Sequence, residues 1–341
     1  MRAPFRIGVL GLGNVGGALA RRLTDYADGI AAATGRRITL EAIAARRPEG
    51  RQAPAPVMAP EKLLARTDLD AIVELIGGME PAHTYIKTAL QAGHQVITAN
   101  KQVIASHGPA LSRLGSLRFE ASVASAIPIV ELLAETLAAD RVQGIVGILN
   151  GTTNFMLDEM AKGSSYEQAL REAQRLGMAE ADPTADVDGH DAAAKLAILV
   201  MLAFRKRIDV DAIDRTGIRE APTLPSHASG GGKRKLIAAA ESDEEGIRAD
   251  VRPRLVPISS PIAHVDGALN AICIEARYAG PLLLRGAGAG PDAAASAVIA
   301  DLVRAARDAP PSAGALLASL ADQPCIDVRP LGGMRPFPAA E

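Results

Sequence analysis

The chain opens on a compact apolar run, Phe5 to Leu10 in "FRIGVLGLGNVGGALARRL", which stops at glycine and resumes with apolar residues three and four apart. Short apolar runs bounded by glycine read as strands, and the three-and-four spacing reads as helix. On this reading further strands lie at Ile38 to Arg47, Asp70 to Gly78, His94 to Lys101 and Leu117 to Ala124. Helices are predicted over "PAHTYIKTALQAG" and "IPIVELLAETLAAD". The Pro-rich stretch from Pro48 to Pro60 carries neither period and reads as a surface loop. Strands alternating with helices predict a parallel sheet with right-handed crossovers.

The pattern then changes. "RVQGIVGILNGT" predicts a strand ending in a turn, and "TNFMLDEMAKG" and "SYEQALREAQRLG" predict two helices. Beyond Ile218, "RPRLVPIS", "ALNAICIEARY" and "PLLLRGAG" read as longer strands, so a second domain with a mixed α+β sheet is expected. "GAGAGPDAAASAVIADLVRAARD" returns to a glycine turn and helix. The expected organisation is a first domain over 1–140, rejoined by a helix at about 290–308, a second domain over 141–289, and a peripheral tail over 309–341.

Composition narrows the function. A net charge of -2 argues against a general nucleic-acid binder, which needs a basic surface. The two cysteines, Cys273 and Cys325, form no CxxC motif, which fits a reducing compartment. The N-terminus runs directly into a strand without a signal-peptide pattern, and no apolar run is long enough to span a bilayer. A cytoplasmic protein with no membrane partner is expected.

The first strand–helix turn places Gly11, Gly13 and Gly16 in G-x-G-x-x-G spacing. That spacing suits a tight turn, close approach of backbone to a pyrophosphate, and close helix–strand packing. Gly11, Leu12, Gly13, Asn14, Val15 and Gly16 are therefore the candidate phosphate-binding residues of a Rossmann-type domain. Nucleotide choice is read at the end of the second strand, where an acid favours NAD and an arginine favours NADP. That strand ends in Arg46 and Arg47, while Glu41 sits too early, so NADP is favoured over NAD. Two arginines that merely begin a loop are the plainer alternative.

"EADPTADVDGHDAAAKLAIL" gathers Glu180, Asp182, Asp186, Asp188 and Asp191 before a single lysine, Lys195. A calcium loop aligned on Gly189 would put Thr184 at its first ligand and Lys195 where a bidentate glutamate belongs, so calcium fails. Helix capping explains Asp188 and Asp191 but not Lys195. Asp191 and Lys195 are four apart and share one face of an apolar helix. A lysine there is either a structural ion-pair partner or a proton-transfer group. Lys101, after "VITAN", sits near the carboxyl end of a strand, where ligands bind in open α/β sheets. Two lysines and a carboxylate cluster beside a nicotinamide site suit hydroxyl–carbonyl redox chemistry, with Glu180 able to hold a substrate ammonium.

The sequence resembles the homoserine dehydrogenase family over nearly its whole length. The resemblance rests on "GLGNVG", "VELIGGMEPA", "VITANKQVIA", "FEASVASAIPIV", "GILNGTTNFML", "AEADPTADVDGHDAAAKLAIL", "HVDGALNAICIEA" and "GAGAGPDAAASAVIADL". It implies reversible oxidation of L-homoserine to L-aspartate 4-semialdehyde with NAD(P), in threonine and methionine synthesis. It implies that Lys195 and Lys101 are the active-site lysines, with Lys195 transferring the proton. Glu180, Asp186 and Asp191 then bind substrate or orient that lysine. Lys101 also borders the cofactor. The resemblance further implies a sodium or potassium ion held by the main-chain carbonyls of Glu120, Val123, Ser125 and Ile127, and a homodimer built on a catalytic and dimerisation second domain. Ser125 and Ala126 stand where two glycines are common in the family. Too few residues follow Asp308 for the independent C-terminal regulatory domain that many members carry. Two rival readings share the fold: a reductase of another amino-acid semialdehyde, and a non-catalytic NADP-sensing regulator. The sensor predicts degraded lysine and acid positions, and these are intact.

Overall fold

A computed structural model describes residues 2–45, 53–219 and 231–331. The chain forms two compact units, the first from residues 1–136 and 290–323, the second from 137–289 and 324–341.

In the first unit β1 (Phe5–Leu10) leads into α1 (Asn14–Asp25) and α2 (Ala27–Thr34), then β2 (Ile38–Ala44), β3 (Val57–Met58) and α3 (Pro60–Leu64). β4 (Ala71–Glu74), α4 (Ala82–Gln91), β5 (Gln95–Thr98), α5 (Lys101–Ser112) and β6 (Leu117–Arg118) follow. All six strands are parallel, in the order β3-β2-β1-β4-β5-β6. The strand order reverses between β1 and β4, and such a switch opens a crevice at the carboxyl ends of the strands.

The second unit contains β7 (Val142–Ile148), α6 (Gly151–Ala161), α7 (Tyr166–Arg175), α8 (Thr184–Val187) and α9 (His190–Phe204). β8 (Asp214–Arg215), β9 (Gly232–Asp243), β10 (Gly246–Pro257), β11 (Leu269–Ala276) and β12 (Gly280–Ala287) complete most of its sheet. α10 (Pro291–Ala306) and α11 (Ser312–Leu320) return to the first unit, and β13 (Val328–Arg329) closes the second. The second sheet is mixed: β12-β11-β7-β9-β10 are antiparallel neighbours, while β13 and β8 run parallel to β10. Its core joins Val146, Ile237, Ala239, Ala271 and Cys273.

Besides β3, a strand paired with β2 within the stretch expected as a loop, and β9, which no alternating pattern announces, the structure departs from the sequence-based expectation in three places. The strand expected over Leu117 to Ala124 ends at Arg118 and gives way to a 3-10 turn, Glu120–Ser122. There the Glu120 N–H leaves the sheet and donates to Asp301 Oδ2 at 2.9 Å. The helix expected over "IPIVELLAETLAAD" contains a π-helical segment, Leu132–Thr136. Pro128 lacks an N–H, and the Glu120 carboxylate accepts the N–H groups of Val130 and Glu131 at 2.9 and 3.1 Å, so a distant side chain starts this turn. The third departure is the tail. α11 buries Ala313, Leu317 and Leu320 and packs on α5, because its small and leucine residues make one apolar face. The buried guanidinium of Arg118 donates to the carbonyls of Ala309 and Pro310, tying down the connection.

Asp301, fully buried on α10, has its carboxyl pushed up to about 8 by burial and by the neighbouring Glu120. The folded protein therefore keeps a proton that the unfolded chain releases near 3.8. The contribution of Asp301 to stability then falls as pH rises through the window from about 4 to about 8, because at this site the native state holds a proton that the unfolded one has lost. Asp301→Asn keeps the shape without the ionisation. In a buffer free of alkali cations, its melting temperature should decline less across that window than that of the parent. Parallel curves for the two proteins would refute this.

Candidate active site

The dinucleotide turn is built by three glycines with different duties. Gly11 has φ +111, and a Cβ there would lie 2.9 Å from the Leu75 carbonyl oxygen. At Gly16 a Cβ would lie 2.4 Å from the Gly11 carbonyl, so only glycine lets α1 approach the turn. At Gly13 a Cβ would meet nothing within 4 Å, leaving the backbone open to an incoming group. α1 starts after Gly13 with no acid in its first turn, so its positive end is not neutralised. These features fit a pyrophosphate. Beside the turn lies a cavity of about 140 Å³, lined by Val15, Leu75, Ile76, Gly77, Ala99 and Asn100.

Two residues outside the glycine motif shape this cavity. Glu74, fully buried at the end of β4, accepts the N–H groups of Ile76 and Gly77 at 2.6 and 3.2 Å and the Thr98 hydroxyl. Asn100 caps α5 by accepting the Val103 N–H at 3.1 Å, while its amide donates to the Gly78 carbonyl at 2.7 Å. Lys101 is the first residue of that helix and is half-buried. An acid inside an apolar strand and an Asn before a helix are the sequence signals for these two.

Glu41, midway along β2, is engaged by Arg6 at 3.3 Å and by Thr39 at 2.9 Å. These two hydrogen bonds, Arg6 foremost, hold its carboxyl below the usual range. Arg46 and Arg47 lie outside the described residues.

In the second unit the acids and Lys195 separate into two groups. Lys195 and Asp191 are both buried on α9, with Nζ donating to Asp191 Oδ2 at 2.7 Å and to the Leu149 carbonyl at 2.7 Å. The Asn150 amide nitrogen donates to Asp191 Oδ2 at 2.9 Å and to Asp186 Oδ1 at 2.7 Å. Asp188 instead pairs with Arg219 at 2.6 Å, and Asp182 bonds the Thr184 N–H at 3.1 Å. Glu180 is exposed on the loop after α7, its main-chain carbonyl accepting from Gln174 at 3.0 Å. Thus Asp186, Asp191 and Lys195 form one connected site, while Asp182 and Asp188 serve local structure.

The loop proposed for a cation turns on Ala124 and Ser125, whose φ values are +52 and +43. Both are left-handed without being glycine, an unusual conformation for residues bearing a Cβ. The Glu120 carbonyl accepts the Val123 N–H at 3.5 Å and the Ile127 carbonyl accepts the Ile129 N–H at 2.8 Å. Each retains a second lone pair, and oxygen donors suit hard cations. Among the described residues no cluster of three or more His, Cys, Asp or Glu side chains could hold a metal. No described helix is long and apolar enough to cross a membrane.

A parallel dinucleotide-binding unit joined to a unit with a buried acid–lysine site fits an NAD(P)-dependent oxidoreductase. A family model described as "Homoserine dehydrogenase" matches residues 128–303, and one described as "Homoserine dehydrogenase, NAD binding domain" matches residues 11–116. The chain belongs to the homoserine dehydrogenase family. It is 43% identical to the homoserine dehydrogenase of Corynebacterium glutamicum over 319 residues, covering 89% of this chain and 72% of that protein. The solved homoserine dehydrogenase of Thiobacillus denitrificans superposes with a TM-score of 0.85 at 37% identity, covering 95% of this chain and 76% of that one. A hyperthermophilic archaeal homoserine dehydrogenase in complex with NADPH gives 0.77 at 26% identity, covering 90% and 99%.

Proposed function

We propose that this enzyme interconverts L-homoserine and L-aspartate 4-semialdehyde, in threonine and methionine biosynthesis, with NADP as its preferred nucleotide. The observation that carries the reading is the hydrogen bonding of Lys195. Two donations from Nζ, to Asp191 and to the Leu149 carbonyl, occupy two of its tetrahedral directions. In the neutral amine the remaining direction is a lone pair, which accepts the hydroxyl proton during oxidation. In the ammonium form it is an N–H, which returns the proton during reduction. The bound nicotinamide supplies the hydride acceptor and donor. Asp191 fixes the lysine, Asp186 and the exposed Glu180 hold the substrate's polar groups, and Lys101 serves as the second active-site lysine. Gly11, Leu12, Gly13, Asn14, Val15 and Gly16 hold the phosphates.

The carbonyls of Glu120, Val123, Ser125 and Ile127 are the candidate donors to a sodium or potassium ion. The long β9 and β10, with β12 alternately half-exposed and exposed, offer surface for a homodimer. The test of the reaction is an assay of NADP reduction with L-homoserine against other hydroxy amino acids. Protein that binds NADP yet turns over neither homoserine nor aspartate semialdehyde would be a sensor instead.

Arg46 and Arg47 are the candidate partners of the 2′-phosphate. Glu41, the acid of β2, is already held by Arg6 and Thr39, which supports NADP over NAD. Arg46→Ala, alone or with Arg47→Ala, should raise the KM for NADP roughly tenfold, the loss of one charge-assisted contact, and leave that for NAD nearly unchanged. Equal changes for both nucleotides would make the arginines mere loop residues.

A further inference from the structure

We propose that Asn150 is a positioning residue of the active site, clamping Asp186 and Asp191 together so that Lys195 is held in its working geometry. The inference rests on the proton-transfer reading of Lys195 given above and assigns a residue that this reading does not use. Asn150 is buried at 5% exposure and precedes α6 as its N-cap. Its Oδ1 accepts the Thr153 N–H at 2.9 Å and the Thr153 hydroxyl at 2.9 Å. Because an N–H can only donate, the atom facing Thr153 must be the oxygen, which fixes the amide orientation. The nitrogen then points the other way. Its two hydrogens are both used, one on Asp186 Oδ1 and one on Asp191 Oδ2.

This arrangement does something a cap alone does not require. Asp186 lies on α8 and Asp191 on α9, two like charges that repel when brought together in a partly dry site. An amide donor between them offsets that repulsion and sets their spacing. Asp191 Oδ2 thereby receives two donors, Asn150 Nδ2 at 2.9 Å and Lys195 Nζ at 2.7 Å. The other acceptor of Lys195 is the carbonyl of Leu149, the residue before Asn150. The Leu149–Asn150 step therefore fixes the lysine twice, once directly through a carbonyl and once through Asp191. The same side chain locks this step to the start of α6.

Serine and aspartate cap helices about as well as asparagine, but neither side chain can donate two hydrogens to a pair of carboxylates. Asn150→Ser should keep its melting temperature within a few degrees of the parent and its KM for NADP within about twofold, while kcat falls ~10- to 100-fold, a positioning loss. Asn150→Asp keeps the cap, adds a third carboxylate, and should fall further in kcat, again without a change in NADP affinity. The split between kcat and NADP binding is the deciding readout, since a merely structural loss would lower the folded fraction and both signals together. Active-site concentration is set by NADPH fluorescence titration. Lys195→Ala is measured beside them. If Lys195→Ala keeps its kcat, the proton-transfer reading falls and the proposal with it. If Lys195→Ala is impaired but Asn150→Ser and Asn150→Asp keep parental kcat, the clamp alone is overturned. The clamp is likewise overturned if both Asn150 variants lose NADP binding in step with kcat.

Discussion

Lys195→Ala should lower kcat by at least on the order of 10²-fold, the usual low end for loss of a general acid–base group. The loss follows from the oriented direction left at Nζ once Asp191 and the Leu149 carbonyl are satisfied. Alanine removes the amine whose open direction accepts and returns the proton, and water would have to replace it without the same orientation. NADP affinity should stay close to that of the parent, because the phosphate-binding glycines belong to the other unit. Lys195→Arg should also be poor, since a guanidinium stays protonated and cannot act as a base. Asp191 loses its cation in the alanine variant but keeps the Asn150 donor, so the protein should remain folded with a reduced melting temperature. Measurement of kcat, NADP affinity and the melting curve separates these effects. Near-normal turnover by Lys195→Ala would reduce the lysine to a structural partner and make Lys101 the leading proton-transfer candidate.

The second large effect concerns stability. Lys235 is a fully buried cation on β9, with Nζ donating to Asp158 Oδ1 at 2.7 Å and to the Val265 carbonyl at 2.7 Å. The other oxygen of Asp158 accepts the Gly267 N–H at 2.7 Å, and Asn154 on the same helix donates to the Val265 and Gly267 carbonyls at 2.9 and 2.8 Å. One lysine thus pins the turn before β11 to α6. Lys235→Ala leaves Asp158 without its cation in a poorly solvated place and opens a void. Loss of one partner of a buried pair costs about 3–5 kcal/mol. For a domain of this size, that is a fall in melting temperature on the order of 10 °C. Lys235→Met with Asp158→Leu removes both charges and should recover part of the loss, leaving the Gly267 N–H as the residual cost. A single variant melting within a couple of degrees of the parent would show that the turn holds without the pair.

What is legible in the sequence is what depends on neighbours in the chain. β1 stands at its expected bounds because an apolar run ends abruptly at glycines. The roles of Gly11, Gly13 and Gly16 follow from local backbone geometry, so their spacing suffices. Asp191 and Lys195 are legible as a pair because helical spacing puts them on one face. β9 is not: "KRKLIAAAES" is alanine-rich and favours helix on its own. Coverage of both faces, which buries Leu236 through Ala240, makes it a strand. The bond from Asn150 to Asp186 spans 36 positions, and no local period announces it. α11 is hidden behind its prolines, which suggest a loose tail although Ser312–Leu320 forms a helix just after them.

The two-segment origin of the first unit has a consequence for biosynthesis. The apolar core of that unit joins Phe5, Leu19 and Val73 to Ala295, Val298 and Leu302 of α10. When a ribosome has released residues 1–136, α1 still lacks the helix that packs on it, and the whole inserted unit must be made before α10 emerges. Domains generally fold in the order they are synthesised. Here the nucleotide-binding half would be the last to close, so nascent chains should present an uncovered α1 to chaperones throughout that interval.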